Sequence, residues 1–259
     1  MNLIDSHCHF DDIRFDVDRA QAFERARQAG VIAQIVPAVT RQLWSRVQSV
    51  CREYPGLYPA YGLHPMFTRQ HEDSHIQALD RRLAHEQAVA VGECGLDFFI
   101  DNADRARQME LFEAQLQLAV KYRLPIIVHA RKSVEEVINS LRRFPGLRGV
   151  LHSYSGSEQQ AQRLMDMGFL FSFGGPITYP GANRLRHLVS RLPLHAIMLE
   201  SDSPDQPDAE NRGGRNEPAL LGRVLHAMME LRQESAQEIA FQTTSNAMEL
   251  FGINIGHSE

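Results

Sequence analysis

Eight residues of metal-binding type fall at the ends of short apolar runs, and their spacing suggests hydrolytic chemistry at a metal centre. His7-Cys8-His9 follows Leu3-Ile4-Asp5, and residues two apart along a strand point to one face, so both imidazoles can reach one ion while Cys8 points away. Glu93 ends Ala-Val-Ala-Val-Gly, where a carboxylate needs a partner, and its two oxygens could bridge two cations. His129 ends Pro-Ile-Ile-Val and His152 ends Gly-Val-Leu. Glu200 and Asp202 share a face after Ile197-Met198-Leu199, and His64 follows Tyr61-Gly62-Leu63. Taken singly, each has an ordinary reading as a hydrogen-bonded strand-end or loop residue. Together they point to a constellation, because five of the 12 histidines sit at such ends.

The elements that would position them are eight. Apolar runs of strand length lie at Leu3–Ile4, Val31–Val36, Leu57–Gly62, Ala88–Gly92, Pro125–Val128, Gly149–Leu151, Phe169–Phe173 and Ala196–Leu199. Between most of them are stretches of helical period, the clearest carrying Met109, Phe112, Leu116, Ala119 and Val120 on one face. Taking His7, Pro37, His64, Glu93, His129, His152, Gly174 and Asp202 as strand ends gives steps of 22 to 36 residues, enough for a strand, a helix and two loops. The pattern predicts an α/β chain folded as a single (β/α)8 TIM barrel over residues 1–259, with the site at the C-terminal face of the strands. A doubly wound open sheet fits less well, since no glycine-rich dinucleotide fingerprint follows the first strand. Closing the barrel would bring Asp202 beside His7 and His9. The polar segment Ser203–Glu217 reads as a long loop after the eighth strand, and Ala236–Phe251 as a helix covering the outside of the barrel.

Composition sets the limits. With 259 residues, 43% hydrophobic and 23% charged, the chain is of ordinary globular type. A net charge of −5 gives no overall electrostatic footprint for nucleic acid, so recognition of phosphate must be local or metal-assisted. Cys8, Cys51 and Cys94 are expected to be free thiols, which together with the absence of a leader pattern at Met1-Asn2-Leu3-Ile4-Asp5 predicts a cytoplasmic location. No apolar run reaches the ~20 residues of a membrane helix.

The ordered motifs His-x-His, Gly-Glu-x-Gly-Leu-Asp, Pro-x-x-x-His, His-x-x-Ser-Gly and Glu-Ser-Asp-Ser-Pro resemble the TatD-type metal-dependent hydrolases, a branch of the amidohydrolase superfamily. The likeness runs from His7 to Pro218, includes Gly62-Leu63-His64-Pro65 and Asn216-Glu217-Pro218, and is greatest with the bacterial YjjV-type branch. It implies a TIM barrel with one or two divalent metal ions and hydrolysis of phosphodiesters in DNA, as a 3′–5′ exonuclease. The implied metal shell is His7, His9, Glu93, His129, His152 and Asp202, with Glu93 bridging; His64 and Glu200 would stand beside the metals. Ala130, Ser153-Tyr154 and Cys94 vary within the motifs.

The chemistry so implied is metal-assisted attack of water on phosphorus. Asp202 would orient or deprotonate the water, His64 would contact a phosphate oxygen or the leaving group, and Glu200 would orient a ligand. Arg131 and Lys132, and in the long loop Arg212, Arg215 and Asn216, are candidate phosphate contacts. Imidazole and carboxylate without thiolate admit Zn, Mn, Fe or Mg. Phe98 and Phe99 are expected to pack over the site, with single-stranded DNA or a DNA end as substrate and a monomer as the working state. The same barrel acting on a lactone, phosphotriester or aminoacyl-tRNA ester is the rival reading. A scaffold with a vestigial site, or a metal store, fits the intact ligand set less well.

Overall fold

The computed structural model describes residues 1–254. Eight parallel strands, β1 (Leu3–Asp5), β2 (Val31–Ala38), β3 (Leu57–Tyr61), β4 (Ala90–Asp97), β5 (Ile126–Arg131), β6 (Gly149–Leu151), β7 (Phe169–Phe173) and β8 (Ile197–Leu199), pair in sequence order. The helices are α1 (Arg19–Gln28), α2 (Trp44–Glu53), α3 (Asp73–His85), α4 (Arg105–Tyr122), α5 (Val134–Leu141), α6 (Glu158–Met165), α7 (Asn183–Arg191), α8 (Leu221–Leu231) and α9 (Ala236–Phe251). The ring closes just past the strand ends, where Ser6 N donates to Leu199 O (2.9 Å), Asp202 N to His7 O (2.9 Å) and His9 N to Ser203 O (2.7 Å). This is the (β/α)8 TIM barrel that the alternation of elements predicts.

Two strands run further than their apolar cores. The β4–β5 ladder continues through Gly95↔His129 to Asp97↔Arg131, so Glu93 and His129 lie inside strands rather than just beyond them. Glycine allows the approach: a Cβ on Gly95, at φ +139, would stand 2.1 Å from the His129 carbonyl oxygen.

Inward-facing Ile4, Ala33, Ile35, Ala60, Ala90, Ile127, Val150 and Met198 fill the barrel below the site. Along β5, β6 and β8 the two-residue period then lifts His129 above Ile127, His152 above Val150 and Glu200 above Met198. Apolar packing therefore forms the floor on which the polar layer stands. The outer cluster joins the opposite faces of the strands to the helices, with Phe112, Leu116 and Ala119 of α4 buried and Val120 left 49% exposed. Helix α9 departs from expectation. Its Ala247, Leu250 and Phe251, with Ile253 beyond, belong to the interior cluster, so its end plugs the base of the barrel instead of only covering the outside. The physical reason is that the inward-facing apolar layer would otherwise open to water at the N-terminal end of the strands.

Side-chain caps fix three of the helix starts, two of them in loops above the site. Asp104 accepts from Arg107 N at α4, and capping boxes Ser157/Gln160 and Ser235/Glu238 open α6 and α9.

Candidate metal centre

The Glu93 carboxylate, buried at the mouth of the barrel, divides its two oxygens between two sets of imidazoles. Oε2 lies 3.2 Å from His7 Nε2 and 3.6 Å from His9 Nε2. Oε1 lies 2.8 Å from His64 Nε2, 3.2 Å from His129 Nδ1 and 2.8 Å from His152 Nε2. Asp202 Oδ1 completes the first set at 3.6 Å from both His7 Nε2 and His9 Nε2. The His7 and His152 rings stack at 4.0 Å between centroids, so the two sets share a wall.

Hydrogen bonds at the far side of each ring decide which nitrogen presents a lone pair. His9 Nδ1 donates to Pro37 O (3.2 Å), leaving Nε2 as the free acceptor. His129 Nε2 donates to Asp97 Oδ2 (3.0 Å), leaving Nδ1 free. His64 is the opposite case: its Nδ1 accepts from Met66 N (3.1 Å), so in the neutral ring Nε2 carries the proton and donates to Glu93. His64 is placed as a donor to an anionic oxygen, although its position alone would also let it join a ligand group. His7 Nδ1 and Nε2 and His152 Nδ1 are buried without a hydrogen-bond partner.

Charge follows from this crowding. Burial alone would raise the Glu93 carboxyl, yet the surrounding imidazoles hold it well below the usual carboxylate range. Burial and the neighbouring His152 push His7 down to about 4. Burial also opposes a charge on His152, but Glu93, Glu200 and Asp202 outweigh it and raise that ring to about 10. Glu200, buried and close to Asp202, is pushed up to about 8; it accepts from Ser153 N (2.8 Å) and Ser172 Oγ. The site thus draws positive charge to one spot from several carboxylates. Orphaned buried imidazole nitrogens around a bridging carboxylate are a donor set that fits divalent cations bound by nitrogen and oxygen, with no thiolate among them. Cys8 and Cys94 are buried free thiols; Cys8 Sγ turns to Gln34 Oε1 (3.4 Å).

The centre opens into a cleft of about 870 Å³. Of the residues read as phosphate contacts, Arg131 lines it, with its guanidinium carbon 3.8 Å from the centroid of the Phe99 ring. Lys132 does not line the cleft; its Nζ lies 4.5 Å from the other cation's shared platform, Phe99. Arg212 does not line the cleft either. Three expectations are corrected. Asn216 is buried, its amide donating to Ser201 O (2.7 Å), Asp205 O (2.9 Å) and Gln206 O (3.2 Å), so it ties down the long loop and has no donor left for a substrate. Arg215 pairs with Asp18 (2.6 Å) and donates to Arg14 O (2.8 Å), which locks that loop to the chain before α1. Phe98 and Phe99 do not close over the site: Phe99 is 48% exposed beneath Arg131, and neither ring lines the cleft. Tyr179 reaches away to Pro207 O (3.1 Å), whereas Tyr154 lines the cleft with its hydroxyl donating to Ser157 O (2.8 Å).

Two residues with evident work at the centre were not singled out from sequence. Asp97 lies four residues after Glu93, on the same strand face, and that even spacing was the available signal. Gln206 donates to Asp202 Oδ2 from the irregular loop, where no periodicity marks it.

Eight parallel strands carrying this imidazole and carboxylate layer at their C-terminal mouth define a TIM barrel of the metal-dependent hydrolase type. The chain belongs to the TatD related DNase family, whose sequence profile matches residues 4–252. It is 42% identical over 256 residues to the metal-dependent hydrolase YjjV of Escherichia coli K12, covering 97% of this chain and 98% of that protein. It is 34% identical over 254 residues to the metal-dependent hydrolase YabD of Bacillus subtilis 168, covering 97% and 100%. The crystal structure of YjjV, a TatD homolog, superposes with a TM-score of 0.93 at 40% identity, covering 97% of this chain and 98% of that one.

Proposed function

We propose that the protein hydrolyses phosphodiester bonds of DNA, working from a 3′ end of a single strand, as a cytoplasmic monomer. The observation that carries this reading is the division of one buried carboxylate, Glu93, between two imidazole sets at the base of a cleft rimmed by Arg131. The family name and the local phosphate-gripping chemistry of that rim agree with it. Among the described residues no helix is long and apolar enough to cross a membrane.

Zn, Mn or Mg bound there would lower the pKa of water and offset phosphoryl charge. Glu93, His7, His9, His129, His152 and Asp202 would hold the cations. Asp202 takes the proton of the attacking water as its oxygen bonds to phosphorus and the P–O3′ bond breaks, releasing a 5′-mononucleotide. His64, held as a donor by Met66 N, turns Nε2–H towards a phosphate or departing oxygen. Arg131 is the cleft-lining cation for which no carboxylate lies within 4 Å among the described residues; Arg14 is paired with Asp12 and Asp205, and Arg46 with Asp16. Its guanidinium is therefore available to grip a phosphate.

The test is a time course on end-labelled single-stranded DNA with metal-stripped protein, with the same protein given Mn, Mg or Zn, and with Asp202→Asn. Product ladders only in the metal-loaded wild type support the reading. DNA left intact in every sample, although the reloaded protein binds metal, overturns it and moves the search to carboxylic esters and amides.

A further inference from the structure

We propose that Gln206 is a positioning residue that holds the Asp202 carboxylate by one oxygen, so that the other alone faces the His7–His9 pocket. This rests on the reading of Asp202 as the group that deprotonates the attacking water. Gln206 Nε2 donates to Asp202 Oδ2, and Oδ1 lies 3.6 Å from each of His7 Nε2 and His9 Nε2. A carboxylate with both oxygens free could close on one cation with the pair. With Oδ2 engaged, it presents a single oxygen in a set direction.

The orientation of the Gln206 amide follows from its partners. Oε1 accepts from Ser153 Oγ (3.1 Å), and the reversed amide would set its oxygen against a carboxylate oxygen, acceptor to acceptor. Ser153 is itself fixed, its N–H donating to Glu200 Oε1 (2.8 Å) directly after His152. Asp205 N donates to Asp202 O (3.0 Å), and Asn216 holds the Gln206 carbonyl (3.2 Å). The chain of contacts therefore runs from the β6 loop through Ser153 and Gln206 to Asp202.

Backbone conformation marks the same three residues. Ser153 (φ +46), Asp202 (φ +52) and Gln206 (φ +47) are three of the six non-glycine residues in the left-handed region among the described residues. Such conformations persist only where surrounding contacts impose them, and here they turn three side chains towards one another. The choice of an amide is also chemically apt. Glutamine supplies the donor without a positive charge, whereas lysine or arginine at this point would compete with a cation for the pocket.

The experiment compares wild type, Gln206→Leu, Gln206→Glu and Ser153→Ala, each loaded with Co2+. Its two readouts are the visible Co2+ spectrum without substrate, and kcat and KM on single-stranded DNA. Gln206→Leu should bind Co2+ in wild-type stoichiometry with a changed spectrum, and lose about 10–100-fold in kcat with KM unchanged. Gln206→Glu, setting acceptor against acceptor, should lose more, and Ser153→Ala less. A Gln206→Leu protein whose Co2+ spectrum and kcat match wild type overturns the proposal. So does a loss confined to KM, which would make Gln206 a substrate contact. The spectrum decides the matter even if wild type leaves DNA intact, a result that would overturn only the nuclease reading.

Discussion

His129 is held from behind by Asp97: its Nε2 donates to the Asp97 carboxylate at 3.0 Å, and its Nδ1 stands 3.2 Å from Glu93 Oε1. Asp97 is fully buried, and its other oxygen accepts from Phe99 N (2.9 Å), so the pair fixes both the tautomer and the aim of the ring. Asp97→Ala should weaken Mn2+ or Zn2+ binding by about 10–100-fold while the far-ultraviolet circular dichroism stays unchanged. Titration calorimetry checks the first and spectroscopy the second; wild-type affinity would remove Asp97 from the centre.

Glu93 and Asp202 should separate binding from chemistry. Glu93→Ala removes the carboxylate that both imidazole sets share, and metal content and activity should fall together. Asp202→Asn keeps the shape, and activity should fall by about 10²–10⁴-fold while most of the metal stays. Elemental analysis beside the DNA assay distinguishes the two, and a Glu93→Ala protein with full metal and full activity contradicts the bridging role.

The cations of the rim and of the loop should behave differently. Arg131→Ala should raise KM and lower the salt dependence of DNA binding by about one unit of slope, because it removes one phosphate contact. Arg215→Ala should leave KM alone and lower Tm, since Arg215 is bound to Asp18.

Acid should expose that same loop tie. The Arg215 and Arg25 guanidiniums hold the Asp18 carboxyl well below the usual carboxylate range, against the smaller effect of burial. A depressed carboxyl stabilises the fold above its unfolded pKa of ~3.9, and that stability fades as pH falls below it. The pair is partly exposed and is worth about 1 kcal/mol, so Asp18→Asn should lower Tm at pH 7 by about 2–4 °C. Calorimetric scans should show the gap from wild type narrowing towards pH 3; a gap that widens would reverse the sign of the argument.

Burial pushes the Cys8 and Cys94 thiols well above their ordinary range, and neither faces the centre. The double variant Cys8→Ser, Cys94→Ser should keep full metal content. In the native protein both thiols should resist a thiol-specific reagent until denaturant is added. Loss of metal in the double variant would place a sulfur at the site.

Local order in the sequence determined the repeat of strand and helix, the two-residue period that lifts His129 and His152 onto one layer, and the His-x-His pair. These are legible because strand alternation is a property of the backbone and needs no knowledge of neighbours. The tertiary structure decided the rest. Asp97 and Gln206 became part of the centre through hydrogen bonds to residues 32 and 4 positions away, across loops and strands that no periodicity links. Arg215 and Asn216 carry the polarity of phosphate ligands, yet Asp18, 197 residues distant, and the carbonyls of the loop claim their donors. Strands β4 and β5 outran their apolar runs because each completed the other's backbone hydrogen bonds through Asp97 and Arg131. A side chain's type limits the chemistry it can do; which partner meets it first in the folded chain settles whether it does that chemistry or holds the fold.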